Sequence, residues 1–288
     1  MKTWFITGAS RGFGLEIARL VLSNGDAVVA TARDPMRVTA ALPNGGDQLL
    51  AVGLDVTDAA QAQAAVDLAV ARFGAIDVLI NNAGHGIVGA VEETSDAEAR
   101  AVFDVNVFGL LTVTRAVLPV MRQQRSGTVA NISSVGGFVV GSGFGVYGGT
   151  KFAVEGISEA LCAELAPLGI HVTIIEPGRF RTDFLDPSSL MHAASELADY
   201  AGTAGAVRAG AAEQNHAQLG DPALAAAAII TAITSVKPPT RLQLGSDCVA
   251  RVEQKLAHVA DELDHWRGLA LSTDLTVTLD AEAAECIT

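Results

Sequence analysis

Short apolar runs alternate with longer amphipathic stretches along most of the chain. The runs fall at residues 3–7, 27–32, 49–54, 78–81, 128–132, 171–176 and 241–244, and Val, Ile, Leu and Ala recur in them without regular polar interruption. Such segments suit strands buried on both faces, as in a parallel sheet. Between them, apolar positions recur at three- and four-residue spacing and predict helices over 14–23, 59–73, 97–121, 147–166 and 223–234. Ser95-Asp96-Ala97-Glu98 is a capping box at the start of the third helix. Asp221-Pro222 supplies an N-cap and a first-turn proline for the last. Strands alternating with helices are the signature of repeated βαβ units, so the fold class is α/β.

The chain has 288 residues, enough for one large α/β domain or two small ones, and no stretch reads as a linker. We therefore expect a single doubly wound domain over 1–245, with about seven parallel strands flanked by helices. The long irregular stretch 179–220 is expected to be a lid or binding element. Residues 246–266 have helical periodicity with charges outward, and the tail 268–288 has no pattern and is expected to be partly disordered. The whole extension, 246–288, is expected to pack on the same domain.

Composition narrows the possible partners. Nineteen basic residues stand against 32 acidic ones, a formal charge of −13. Nucleic acid is excluded as a partner, because phosphate binding requires clustered Lys and Arg. Acidity here serves solubility. Three widely spaced cysteines, Cys162, Cys248 and Cys286, form no CxxC pair and no metal-ligand spacing, so neither a disulfide framework nor a metal site is expected. The first residues run straight into a strand, and no 18-residue apolar run suggests a membrane span. The expectation is a cytoplasmic protein with no membrane partner.

Chemistry concentrates at a few places. Thr7-Gly8-Ala9-Ser10-Arg11-Gly12-Phe13-Gly14 lies between the first strand and the first helix. Glycines there allow a tight turn and close approach to a pyrophosphate, whose charge the helix N-terminus meets. The spacing departs from the common G-x-G-x-x-G fingerprint. Tyr147 and Lys151 are one helical turn apart, so a phenol faces an ammonium whose charge favours ionisation of the phenol. Ser134 precedes the tyrosine by 13 residues.

Taken together, these motifs resemble those of the short-chain dehydrogenase/reductase family, over about residues 3–245. Thr7, Gly8, Gly12 and Gly14 match its T-G-x-x-x-G-x-G, and Asn81-Asn82-Ala83-Gly84 its N-N-A-G. Asn106 stands at its helix asparagine, Ser134, Tyr147 and Lys151 match its catalytic set, and Pro177-Gly178 with Thr182 match its P-G-x-x-x-T. The resemblance implies a Rossmann-type sheet of order 3-2-1-4-5-6-7 with the site at its carboxyl edge. It implies Tyr147 as general acid or base, Ser134 as the hydrogen-bond partner of the substrate oxygen, and Lys151 on the nicotinamide ribose. Asn106 would hold a relay water behind Lys151. Gly8, Ser10, Arg11, Gly12, Phe13, Gly14, Asp55, Val56, Asn82, Ala83, Gly84, Pro177, Gly178 and Thr182 would line the cofactor. Homodimers or homotetramers are common among such relatives.

The end of the second strand bears on cofactor choice. An acid there hydrogen-bonds the adenosine ribose in NAD-binding chains. Here the position holds Ala32, followed by Arg33, and Arg11 is a second cation in the glycine loop. Two guanidiniums and no carboxylate favour a 2′-phosphate, so NADP(H) is expected. Phe138, Val139, Val140, Phe144, Phe180, Phe184, Leu185, Met191 and Tyr200 are candidate walls for a hydrophobic carbonyl or alcohol substrate. His85 and His192 are either substrate-facing or surface or packing residues. The expected activity is NADPH-dependent carbonyl reduction of the carbonyl reductase or hydroxysteroid dehydrogenase kind. The alternatives are an NADP-linked dehydrogenase oxidising a steroid-, retinol- or polyketide-like alcohol, and a cofactor-sensing protein without turnover.

Overall fold

An all-parallel sheet of seven strands forms the centre of the computed structural model, which describes residues 1–275. The strands are β1 (Thr3–Ile6), β2 (Ala27–Ala32), β3 (Leu49–Gly53), β4 (Val78–Asn81), β5 (Gly86–Val88), β6 (Gly127–Ile132), β7 (Ile170–Pro177), β8 (Leu190–His192) and β9 (Arg241–Leu244). The order in the main sheet is β3-β2-β1-β4-β6-β7-β9, the seven-strand order expected. The helices are α1 (Gly12–Ser23), α2 (Pro35–Ala41), α3 (Ala59–Phe73), α4 (Asp96–Phe103), α5 (Leu110–Gln124), α6 (Gly145–Leu165), α7 (Ala206–Gln214), α8 (Pro222–Ile233) and α9 (Ser246–Leu271).

Both sheet faces are covered, which is why the strands read as unbroken apolar runs. Trp4, Ile6, Val28, Ala30, Val78 and Ile80 face one core with α1 and α8. Their neighbours Phe5, Val29 and Leu79 face a second core with α3 and α5. The two-residue period of a strand divides each run between the layers. Successive connections lead away in opposite directions from β1 and β4, so their carboxyl ends open a crevice at the switch point.

The helix expected over 97–121 is interrupted. The capping box forms as expected, with Ser95 Oγ accepting from the Glu98 amide and the Glu98 carboxylate from the Ser95 amide. Between α4 and α5, however, Asp104–Gly109 forms a π-helical turn. A Cβ on Gly109 would lie 2.6 Å from Val56 Cγ2, so glycine permits this close contact. π turns re-aim side chains within a helix, and this one carries buried Asn106. The stretch Asp96–Gln124 is long and apolar enough to cross a membrane, a property that uninterrupted apolar runs did not disclose. Its apolar side, with Val113, Val117 and Met121, lies in the domain core.

The segment 179–220 is ordered by contacts from distant parts of the chain. Short strand β8 pairs in parallel with β5, Gly86 opposite Leu190, in a small second sheet. Arg208 of α7 is buried and holds Glu93 at 2.6 Å and Glu196 at 3.1 Å. Glu93 also accepts the Leu197 and Ala90 amides, and these bonds, ahead of the arginine, hold its carboxyl below the usual carboxylate range. The lid lies over the crevice on these contacts. In α9 only Cys248 and Val252 are buried, whereas packing had been expected along the extension. Residues 268–271 continue that helix, and the rest of the expected tail beyond residue 275 lies outside the described residues.

Candidate active site

The glycine loop is shaped by its own backbone and by the turn after β4. Gly8 (φ +64°) and Gly12 (φ +56°) adopt left-handed conformations that favour glycine. A Cβ on Gly14 would lie 2.6 Å from both Asn82 Nδ2 and Gly8 O, so its need is close packing. Thr7 Oγ1 accepts the amides of Asn82 (2.9 Å) and Ala83 (3.0 Å). In return, Asn82 Nδ2 donates to the carbonyls of Thr7 and Gly8 at 2.9 and 3.0 Å. The first and fourth βα turns are thereby one rigid unit.

The second half of the site is built on β6 and α6. Ser134 follows β6, and its Oγ accepts the Gly136 amide at 3.0 Å. A Cβ on Gly136 would stand 3.4 Å from that oxygen and 3.6 Å from Tyr147 Cε1, so serine and tyrosine flank one glycine. Lys151 Nζ donates to Ile132 O at 2.8 Å and lies 5.8 Å from the Tyr147 ring centroid. Asn106 Nδ2 donates to His85 O (2.9 Å) and Thr150 Oγ1 (3.1 Å), while its Oδ1 accepts the His85 amide (3.0 Å). It therefore fixes the backbone after Gly84 to the helix that carries Tyr147.

These elements surround a cavity of about 990 Å³. Gly8, Ser10, Arg11, Gly12, Phe13, Arg33, Asp55, Val56, Asn82, Ala83, Gly84, Ser134, Tyr147, Lys151, Pro177, Gly178 and Thr182 all line it. Gly14 and Asn106 do not, and act from behind the wall. The sequence profile described as short chain dehydrogenase matches residues 2–192. The chain belongs to the short-chain dehydrogenase family. Over 273 residues it is 38% identical to oxidoreductase BOA17 of Botryotinia fuckeliana, spanning 94% of this chain and 99% of that protein. It is 41% identical over 197 residues to 3-ketodihydrosphingosine reductase of Bacteroides thetaiotaomicron, 68% of this chain and 70% of the relative. The crystal structure of a short-chain dehydrogenase from Streptomyces avermitilis has a TM-score of 0.88 at 42% identity, covering 95% of this chain and all of the other. Other solved members of the fold carry NAD or NADP+. The protein is an NAD(P)-dependent dehydrogenase/reductase.

The residues of this dehydrogenase fit a dinucleotide. The crowded glycines leave room for a pyrophosphate against the N-terminus of α1, and the half-buried His85 lines the same cavity with its Nδ1 buried and unpartnered. Burial, then Arg33 and Lys151, lower the His85 pKa. Asp34 caps α2 by accepting the Met36 amide, and the neighbouring exposed Arg33 stands in the cavity wall. Arg11 instead donates to Ser188 Oγ (2.6 Å) and Ser188 O (3.0 Å) in the lid. Asp55 accepts the Thr57 amide and hydroxyl, which together depress its pKa.

Burial reverses the expected effect of the lysine on the tyrosine. The dehydrogenase seals both groups from water, and this pushes Tyr147 up to about 12, with the Ser134 hydroxyl opposing. Burial likewise pulls Lys151 down to about 8, against an upward pull from Glu155. Without water, each charged form is penalised more than the other's charge can offset at this separation. Behind the lysine lies a cluster that motif reading missed. Glu155, one turn beyond Lys151, and Glu176 of β7 are buried, each 3.2 Å from Arg241 Nε. Burial raises both carboxyls, Glu155 to about 7. The i,i+4 spacing of Lys151 and Glu155 was visible in the sequence; the convergence of β7 and β9 on them was not.

The substrate side of the dehydrogenase is apolar, though not with every expected residue. Val139, Val140, Phe144, Phe180, Phe184, Leu185 and Met191 line the cavity, and Phe184 lies 5.4 Å, centroid to centroid, from Tyr147. Phe138 instead packs with Val135, Cys248 and Val252. Tyr200 leaves the site to donate to Glu92 at 2.6 Å, and His192 is exposed outside the wall. Val207 and Gln214 from α7, Gln218, and Arg251 from α9 also line it; none belongs to a motif. In the lid, Asp183, Asp186 and His216 bring ligand-type atoms within 4.8 Å of one another, and His216 Nε2 lies 3.5 Å from Asp186. Asn215 also hydrogen-bonds to Asp186, so the group closes the lid on itself.

Proposed function

We propose that this dehydrogenase is an NADPH-dependent reductase of hydrophobic ketones or aldehydes, working reversibly on the corresponding alcohols. The observation that carries the reading is a buried phenol beside Ser134 in an apolar-walled cavity. A phenol held at about 12 is a proton donor at neutral pH. The bound nicotinamide supplies hydride. Ser134 and Tyr147 hold the carbonyl oxygen, and Tyr147 gives its proton to the alkoxide as it forms. Lys151, charged below about pH 8, binds the ribose side of the cofactor and offsets the charge left on the phenolate. The aromatic and aliphatic wall excludes water and takes the apolar body of the substrate.

Three features support NADPH. Ala32 ends β2 where an acid would meet the ribose hydroxyl, Arg33 follows in the cavity wall, and Asp34 is engaged in capping. Among the relatives, one named for 3-ketodihydrosphingosine reduction is consistent with a long-chain ketone. The test is loss of NADPH absorbance with a panel of apolar ketones, run in parallel with NADH. Turnover with NADPH is expected. Equal rates with NADH that Arg33→Ala leaves unchanged would refute the cofactor choice, and no turnover of any carbonyl would refute the reaction.

A further inference from the structure

The start of α9 brings a cation into the cavity that no motif assigns. Arg251 is half-buried and lines the cavity with Val139 and Val140, which lie in the connection from β6 to α6 that also carries Ser134. Its Nη2 donates to Val139 O at 2.8 Å, so the guanidinium is fixed at the apolar wall. Cys248 and Val252 pack against Val135 and Phe138 and anchor the helix on either side of it. A guanidinium withdrawn from water is normally matched by carboxylates, and elsewhere this chain obeys that rule. Arg208 holds Glu93 and Glu196, and Arg241 holds Glu155, Glu159 and Glu176. Arg251 has no carboxylate within ion-pair distance among the described residues, in a chain of formal charge −13.

The acids that could neutralise it are engaged elsewhere. Asp247, one turn earlier on α9, accepts the Arg179 amide at 2.9 Å and crowds Gly178. In the cavity wall, Asp55 accepts from Thr57, and Asp183 lies with Asp186 and His216 in the lid. The other cations of the wall stand apart from Val139. Lys151 is fixed on Ile132 O, Arg11 is tied to Ser188, Arg33 follows β2, and Arg179 is exposed. Among the described residues Arg251 Nε and Nη1 make no hydrogen bond, which leaves donors for a further acceptor. A carboxylate matches the guanidinium fork with two parallel bonds. Val139, Val140 and Phe144 share the wall with Arg251 and Tyr147. A substrate that reaches from one to the other is apolar in its middle, with a carbonyl at one end and an anion at the other.

We propose that Arg251 binds a carboxylate of the substrate, so that the preferred substrates are oxo acids with an apolar chain between carbonyl and acid. The substrate class rests on the reductase reading above, whereas the anion subsite is read by binding alone. Calorimetric titration of decanoate and of methyl decanoate into protein saturated with oxidised cofactor tests it. Decanoate is expected to bind about tenfold tighter than its ester. Arg251→Gln should erase that preference and leave ester binding within about twofold of wild type. Arg251→Lys keeps the charge without the fork, so it should retain part of the preference. That variant should also melt at the wild-type temperature, which guards against a folding defect in the glutamine variant. Equal binding of acid and ester, a preference that survives Arg251→Gln, or no binding of either overturns the proposal. Decanoate held through Arg251 by a protein that reduces no carbonyl would leave the subsite standing and remove the reductase reading. Ketone reduction with no preference for the acid would do the reverse.

Discussion

Lys151 reaches past Tyr147 to the carbonyl of Ile132, with Nζ 2.8 Å from that oxygen and 5.8 Å from the centre of the phenol ring. The helix sets the two residues one turn apart, and β6 supplies the acceptor that fixes the ammonium. Both side chains are buried, so neither charged form is favoured by solvent. The site therefore holds a proton on oxygen ready for donation and a cation that neutral pH only just maintains.

Tyr147→Phe removes the proposed proton donor and little else. Ketone reduction should fall by about 10²–10⁴-fold, the usual contribution of a placed acid. NADPH affinity, read by fluorescence titration, should change by no more than a few-fold. A variant reducing ketones at the wild-type rate would remove Tyr147 from the mechanism.

Lys151 couples stability to pH in a defined direction. Its folded pKa of about 8 lies below the ordinary 10.5, so between these values the unfolded chain binds more protons than the folded one. Stability from this group therefore rises with pH across that window. Thermal melts of wild type and Lys151→Met should diverge in favour of wild type from pH 8 to 10.5, by up to roughly 3 kcal/mol. Reductase activity of wild type should decline over the same interval as the ammonium is lost.

Glu155 acts with the opposite sign. Burial raises its carboxyl to about 7 from 4.5, so the folded state binds more protons between those values, and stability falls as pH rises through them. Glu155→Gln should gain melting temperature relative to wild type as pH goes from 4.5 to 7. A difference that stays flat with pH would show that Arg241 keeps Glu155 ionised throughout.

The proposed preference for NADPH rests on Arg33. Arg33→Ala should raise KM for NADPH about ten- to a hundredfold, the loss of a charge-assisted phosphate contact. KM for NADH should move by less than about twofold, because NADH has no 2′-phosphate. Steady-state kinetics with both cofactors checks the ratio.

One of the ties that hold the lid is a buried cation. Arg208→Met leaves Glu93 without its ion-pair partner, though still bonded to the Ala90 and Leu197 amides. Hydrogen exchange should accelerate over residues 190–218 and stay unchanged in β1, β2 and β4. KM for the ketone should rise more than kcat falls, since the wall is loosened while the acid stays in place.

How much was legible follows from the range of each interaction. The sheet strands, the main helices and the Ser134, Tyr147 and Lys151 constellation were readable because their causes are local: unbroken apolar runs, capping residues, glycine turns and one-turn spacing. The three-residue strands β5 and β8 were not, since each exists only through the other about a hundred residues away. Short α2 was missed because it buries only Val38. Phe138 and Tyr200 were placed in the substrate wall by hydrophobicity alone, which cannot tell a cavity from a core or a surface hydrogen bond.

The sequence by itself determined the architecture, the glycine loop and the candidate acid–base residues, because periodicity and spacing act within a few turns of chain. The tertiary structure decided the electrostatic state of those residues. Desolvation arises when distant elements close around a group, so the neighbouring cation that should have lowered Tyr147 is outweighed by a burial no local pattern contains. It likewise decided that the 179–220 segment is tied down through Arg208 and Glu93, and that α9 brings Arg251 to the cavity wall.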